Sequence, residues 1–131
     1  MIDRGELRRV AKERLRDAGA LLSANRYDGA VYIAGYVVEL ALKSRICRTL
    51  RWPGFPETRG EFDDYRSFKV HDLEVLLSLT GLGPRIRARF ALEWSATAQW
   101  NPEVRYRAAG TTTEVDARLF VEAARTLLGA L

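Results

Sequence analysis

Residues 29–43, GAVYIAGYVVELALK, decide the fold. Only Glu39 and the closing Lys43 carry charge in this stretch, so a helix built from it has no broad polar face to offer water. A helix that is apolar on most sides belongs at the centre of a helical domain. The competing reading is a membrane span, but that needs ~20 apolar residues, and Glu39, Lys43 and Arg45 interrupt the run too early. The helix is expected to start at Asp28, a residue type suited to an N-cap, and to reach about Leu50.

The flanking segments supply partners for such a central helix. Upstream, Leu7, Ala11, Leu15, Ala18 and Leu22 follow one another at steps of three and four, which gives residues 3–24 a single apolar stripe on a first helix. NRYDG (25–29) breaks it. Downstream, RWPGFPETRGEFDDY (51–65) has two prolines and two glycines and is longer than the usual connection in a compact bundle, the kind of loop that tends to be functional or mobile. A third helix is expected from about His71 through HDLEVLLSLT, and a fourth from Pro84, with Ile86, Phe90, Trp94 and Ala98 on one face. After the loop NPEVRYRAAG (101–110), Thr113 and Asp116 form a capping-box pattern that opens a last helix, with Leu119, Phe120, Ala123, Ala124, Leu127 and Leu128 as its seam. Nothing alternates with period two over a useful length. The sequence therefore predicts an all-α fold, a four- to five-helix up-and-down bundle with a long loop between helices 2 and 3, and one domain over residues 1–131.

Composition narrows the function classes. A single cysteine, Cys47, excludes an internal disulfide, and with no basic and apolar leader visible the expectation is a cytoplasmic protein without a membrane segment. Cys47 lies inside the central helix and reads as a small packed side chain. One cysteine and one histidine give no metal-ligand spacing, and no glycine-rich phosphate loop is present, so neither a metal nor another cofactor is expected. The net charge of +4 is carried by 18 arginines against 3 lysines; this favours an anionic partner, although interleaved acids make most of these arginines readable as solvated helix faces. Trp94 reads as core, whereas Trp52 and Phe55, in the proline-rich loop, are candidates for docking on a partner.

The few polar groups of the central helix are aligned. Tyr32, Tyr36, Glu39 and Lys43 stand at i, i+4, i+7 and i+11, one stripe on an otherwise apolar surface. An unpaired buried carboxylate is costly, so Glu39 needs Lys43, an arginine of another helix, or His71 as its partner. Gly29 and Gly35 are expected to allow close helix approach.

RYDGAVYIAGYVVELALKSRI, then KVHDLEVLL, then RYRAAGTTTEVDARLFVEAARTLL together resemble the HEPN domain family over nearly the whole chain. The pieces that carry the likeness are Gly35, Tyr36, Glu39 and Lys43, the step His71-Asp72-Leu73, and the pair Arg105-Tyr106 ahead of the last helix. The resemblance implies a helical domain that binds RNA or a nucleotide, with Tyr32, Tyr36, Glu39, Lys43, Arg105 and Tyr106 as binding residues. Many members resemble metal-independent ribonucleases whose signature is an arginine, often followed by a polar residue, then a histidine after four to six positions; Arg66, Ser67 and His71 fit that pattern. It further implies a homodimer, and an effector of a toxin-antitoxin or defence module encoded with a small nucleotidyltransferase. Other members lack the signature and resemble non-catalytic modules that bind a nucleotide or the nucleotidyltransferase partner. In the branch whose tyrosine is modified by that partner, the tyrosine lies two residues after the histidine, and here that position is Leu73. Cleavage without a metal needs a base for the 2′-hydroxyl and a cation where charge develops on phosphate, roles that suit His71 and Arg66.

Overall fold

Six α-helices carry the architecture of the described residues. The structure is a computed structural model that describes the chain from 1 to 131 except residues 64, 66, 67 and 69. In chain order the elements are β1 (Ile2–Asp3), α1 (Arg4–Ser23), α2 (Tyr27–Leu50), β2 (Gly54–Phe55), α3 (Leu73–Thr80), α4 (Gly83–Arg89), α5 (Ala91–Thr97), a 3-10 turn (Pro102–Tyr106) and α6 (Glu114–Ala130). The fold is thus mostly helical, with one antiparallel ribbon of two residues per strand, Ile2 facing Phe55 and Asp3 facing Gly54.

Helix α2 is the central element, packed against α1, α6, α3 and β2. Its Ala30, Ala34, Val37, Val38, Ala41, Leu42, Ile46 and Cys47 are all fully buried. The short side chains among them let neighbouring helices approach closely, and the valines and leucine fill the space between. Asp3 caps α1 by accepting from the N–H groups of Gly5 and Glu6. Between α1 and α2 the chain turns on Asn25, whose φ of 61° is the left-handed conformation that asparagine tolerates better than most residues. Asp28 is not the N-cap of α2, which begins one residue earlier behind an Arg26 that makes no side-chain cap. Its carboxylate instead accepts from the N–H groups of Gly110 at 2.7 Å and Thr112 at 3.0 Å and so fastens the segment ahead of α6. Those bonds hold the Asp28 carboxyl below its ordinary pKa.

The described residues form six α-helices where four to five are expected, because the predicted fourth helix divides at Phe90. Its backbone leaves the helical region (φ −129°, ψ 38°). Hydrogen bonding still runs across the break: Phe90 N–H bonds Ile86, and Trp94 N–H bonds the Phe90 carbonyl, each at 2.8 Å. Ile86 and Trp94 both remain buried. Glu74 of α3 ties the pieces together, accepting from Trp94 Nε1 at 2.7 Å and from Arg87 at 2.6 Å. On α6, Thr113 caps through the N–H of Asp116 as expected, but Leu119 is 61% exposed and off the seam, which Ala117 and Val121 complete in its place. The loop aromatics are packed too. Phe55 is buried, and Trp52 lies in a cluster with Phe55, Tyr65 and Phe68, so neither is the free docking group expected from its loop setting.

Candidate functional site

The polar stripe of α2 finds its partner just ahead of α3. Asp72, rather than His71, is the N-cap of α3, accepting from the N–H groups of Glu74 and Val75. His71 therefore stands one residue outside the helix, not in its first turn. Leu73 is buried and Val70 half-buried on either side of this step, which pins the backbone while the imidazole remains 60% exposed. The ring turns its Nδ1 toward α2 and lies 2.5 Å from Oε1 of Glu39.

Glu39 is only 3% exposed. Its other oxygen, Oε2, lies 3.9 Å from Lys43 Nζ, one helical turn on, and that ammonium also sits 5.2 Å over the ring of Phe55. Of the partners the buried carboxylate could take, the structure supplies two, His71 and Lys43. An ionised carboxylate only accepts hydrogen bonds, so Nδ1 carries the proton and, in the neutral ring, Nε2 is left as an acceptor on the exposed side. A histidine whose inner nitrogen is held by a buried acid has a fixed tautomer and a fixed ring direction.

The stripe continues toward the far end of α2. Tyr36 meets Tyr32 edge-on at 5.4 Å and Trp100 at 4.9 Å. Burial, followed by the neighbouring Tyr32 hydroxyl, pushes the Tyr36 hydroxyl up to a pKa of about 12. Trp100 lies flat against Gly35, where a Cβ would come within 1.9 Å of the indole; this is the close approach the glycine permits, to a ring rather than to a helix. Gly29 meets only ordinary contact with Leu21, so nothing there demands glycine. Beyond Tyr32, the Arg105 guanidinium stacks 4.6 Å from the ring of Tyr106, which is 72% exposed. Arg105 Nη1 donates to the Pro102 carbonyl at 3.0 Å, and the neighbouring Tyr106 raises the Arg105 pKa. Tyr32 and Arg105 together line an open cavity of about 290 Å³ beside Asp28 and Arg107.

Glu39, Lys43 and His71 thus meet, Tyr32, Tyr36, Arg105 and Tyr106 extend the surface, and Arg66 and Ser67 lie outside the described residues. Cys47 is buried and its thiol is pushed up to about 11, an unreactive packing residue. Among the described residues no three His, Cys, Asp or Glu side chains group as metal ligands, and no helix is long and apolar enough to cross a membrane. Sequence reasoning missed two participants. Trp100 shows no sign in sequence of its seat on Gly35, and Asp28 looks like a cap. Comparison with models of protein families, with curated proteins and with solved structures finds no match.

Proposed function

We propose that this chain is a HEPN-like domain that cleaves RNA without a metal ion, as the effector of a two-component toxin-antitoxin or defence module with a small nucleotidyltransferase as its partner. The observation that carries the reading is the Glu39–His71 contact. A buried acid orients an imidazole whose other nitrogen faces solvent, the arrangement a general base needs. In this scheme Nε2 of His71 takes the proton of a 2′-hydroxyl as that oxygen attacks the adjacent phosphorus. Arg66 steadies the charge that builds on the phosphate oxygens. The P–O5′ bond breaks, leaving a 2′,3′-cyclic phosphate and a 5′-hydroxyl, and the leaving oxygen takes a proton from a second histidine. One chain has one histidine, so the reading calls for a homodimer with a composite site. The rings of Tyr32, Tyr36 and Tyr106 with Arg105 supply the aromatic and cationic surface along which single-stranded RNA stacks.

The second reading is a non-catalytic module that binds a nucleotide or the nucleotidyltransferase. It is favoured by the cavity at Tyr32 and Arg105, which is well formed without His71. One experiment separates them. End-labelled RNA is incubated with the purified protein and with its His71→Ala and Arg66→Ala variants, with and without EDTA, and the products are examined for 2′,3′-cyclic ends. The nuclease reading expects EDTA-resistant cleavage of RNA but not DNA, lowered about 10²-fold or more by either substitution. Inactive wild-type protein, or a His71→Ala variant that cleaves as well as wild type, gives way to the binding module.

A further inference from the structure

On the other side of α2 the chain gathers arginines that make no ion pair among the described residues. Arg45 and Arg48 project about 160° and about 140° around the helix from Lys43, at ~100° per residue. With Arg4 and Arg8 of α1 and Arg85 of α4 they line an open cleft of about 680 Å³, floored in part by Ser44. No acidic side chain lines it. Six other arginines among the described residues sit beside a carboxylate. Among the described residues none of these five takes part in an ion pair, and Leu131 at the rim pairs with none of them either. Asp3, in the adjoining groove, has one carboxylate oxygen occupied in capping α1.

Local helix electrostatics account for only part of the cluster. Arg8 donates to the Leu128 carbonyl at the end of α6, and Arg48 is in the last turn of α2, both places where a cation is favoured. Arg4 opens α1 and Arg85 lies in the first turn of α4, where the backbone field opposes a cation. Arg45 is the most constrained. Its Nε is buried without a hydrogen-bond partner; among the described residues Trp100 Nε1 is the only other buried side-chain polar atom so left. Burial, then the nearby Arg48 and Arg85, hold its guanidinium below the ordinary pKa, so the cations face one another across the same space. Five guanidinium groups with open donors form a receptor for phosphate oxygens, which they bind two at a time. The volume falls in the range of small-ligand sites. No aromatic ring lines the cleft, so nothing there would stack a base.

The geometry points to a second ligand site at Arg4, Arg8, Arg45, Arg48 and Arg85 that binds a small anion carrying several linked phosphates, such as tripolyphosphate or the tail of a nucleoside triphosphate, by its phosphates alone. The site stands apart from the Glu39–His71 surface and does not depend on the nuclease reading.

Isothermal titration at low salt tests it, with sodium tripolyphosphate, ATP, AMP and inorganic phosphate as ligands and a single-stranded oligoribonucleotide as a further arm. Tripolyphosphate and ATP are expected to bind alike, and at least tenfold more tightly than AMP or phosphate. Arg85→Gln, an exposed position, should weaken both at least tenfold while the unliganded protein melts at the same or a higher temperature, because a repulsion is removed. Arg118→Gln, from an ion pair on α6, and His71→Ala should bind as wild type does. The proposal is overturned by no tripolyphosphate binding at millimolar concentration, or by undiminished binding in Arg85→Gln. It is equally overturned if AMP binds as well as ATP, or if His71→Ala abolishes binding. Oligoribonucleotide binding that Arg85→Gln removes, in the absence of tripolyphosphate binding, would assign the cleft to a nucleic-acid backbone and overturn the small-ligand proposal as well.

Discussion

Replacing Glu39 by alanine removes the acid from two partners that differ in their surroundings. His71 keeps 60% of its side chain in water, so on losing Glu39 it exchanges a charged hydrogen bond for solvent. Such bonds are worth about 1.5–3 kcal/mol net, and the exposure places this one near the lower figure. Lys43 is only 16% exposed and is left with the ring of Phe55, a contact worth about 0.5–1 kcal/mol. Its unmatched ammonium adds a further cost, which the relief of no longer burying a carboxylate partly offsets. The expected loss is about 2–3 kcal/mol, below the ~3–5 kcal/mol typical of breaking a fully buried pair. For a chain of this size that lowers the melting temperature by about 6–15 °C. Glu39→Gln, which keeps an acceptor for Nδ1–H, should lose only about 1 kcal/mol. Thermal and urea melts of both variants, together with a cycle that includes His71→Ala, measure the terms. The cycle should return a coupling of about 1 kcal/mol between the two positions. A Glu39→Ala variant as stable as wild type, or a coupling of zero, would refute the pairing.

Gly35→Ala places a methyl group 1.9 Å from the Trp100 indole, so the ring must leave its seat; a loss of about 3 kcal/mol and a red shift of tryptophan emission are expected, and native emission with native stability would contradict the packing. Asp28 has its carboxyl pKa depressed, so its contribution is present above the unfolded value near ~4 and fades as pH falls through the lower folded value. Asp28→Ala should therefore cost about 0.5–1 kcal/mol at neutral pH, discounted for exposure, and nothing measurable near pH 2, with faster amide exchange at Gly110 and Thr112; equal melts at both pH values would remove Asp28 as an anchor.

The central helix and its charged stripe were readable in sequence for one physical reason. A carboxylate among Val37, Val38, Ala41 and Leu42 must find a partner, and the chain offers few. Period and capping chemistry likewise gave α1 and α6. The break at Phe90 was hidden because no glycine or proline marks it and Ile86, Phe90 and Trp94 keep helical spacing across it. Leu119 looked like core because a broad apolar run does not say which of its residues turns outward. The arginine cleft could not be read at all. It draws on residues 4 and 8, 45 and 48, and 85, which only the tertiary fold brings together, and each alone resembles a solvated surface arginine.

The ribbon between Ile2–Asp3 and Gly54–Phe55 has a bearing on the order in which the chain folds. Joining these segments in a disordered chain closes a loop of roughly 50 residues, whose length-dependent entropy cost is about 3.5 kcal/mol, more than so short a ribbon returns. Once α1 and α2 have paired about the Asn25 turn, however, the start of α1 and the end of α2 are already side by side, as the Ser44 hydroxyl on the Arg4 carbonyl attests. Only the few residues after Leu50 then remain to be placed, and the ribbon closes as a late latch on a helical hairpin that has already formed rather than as part of the folding nucleus.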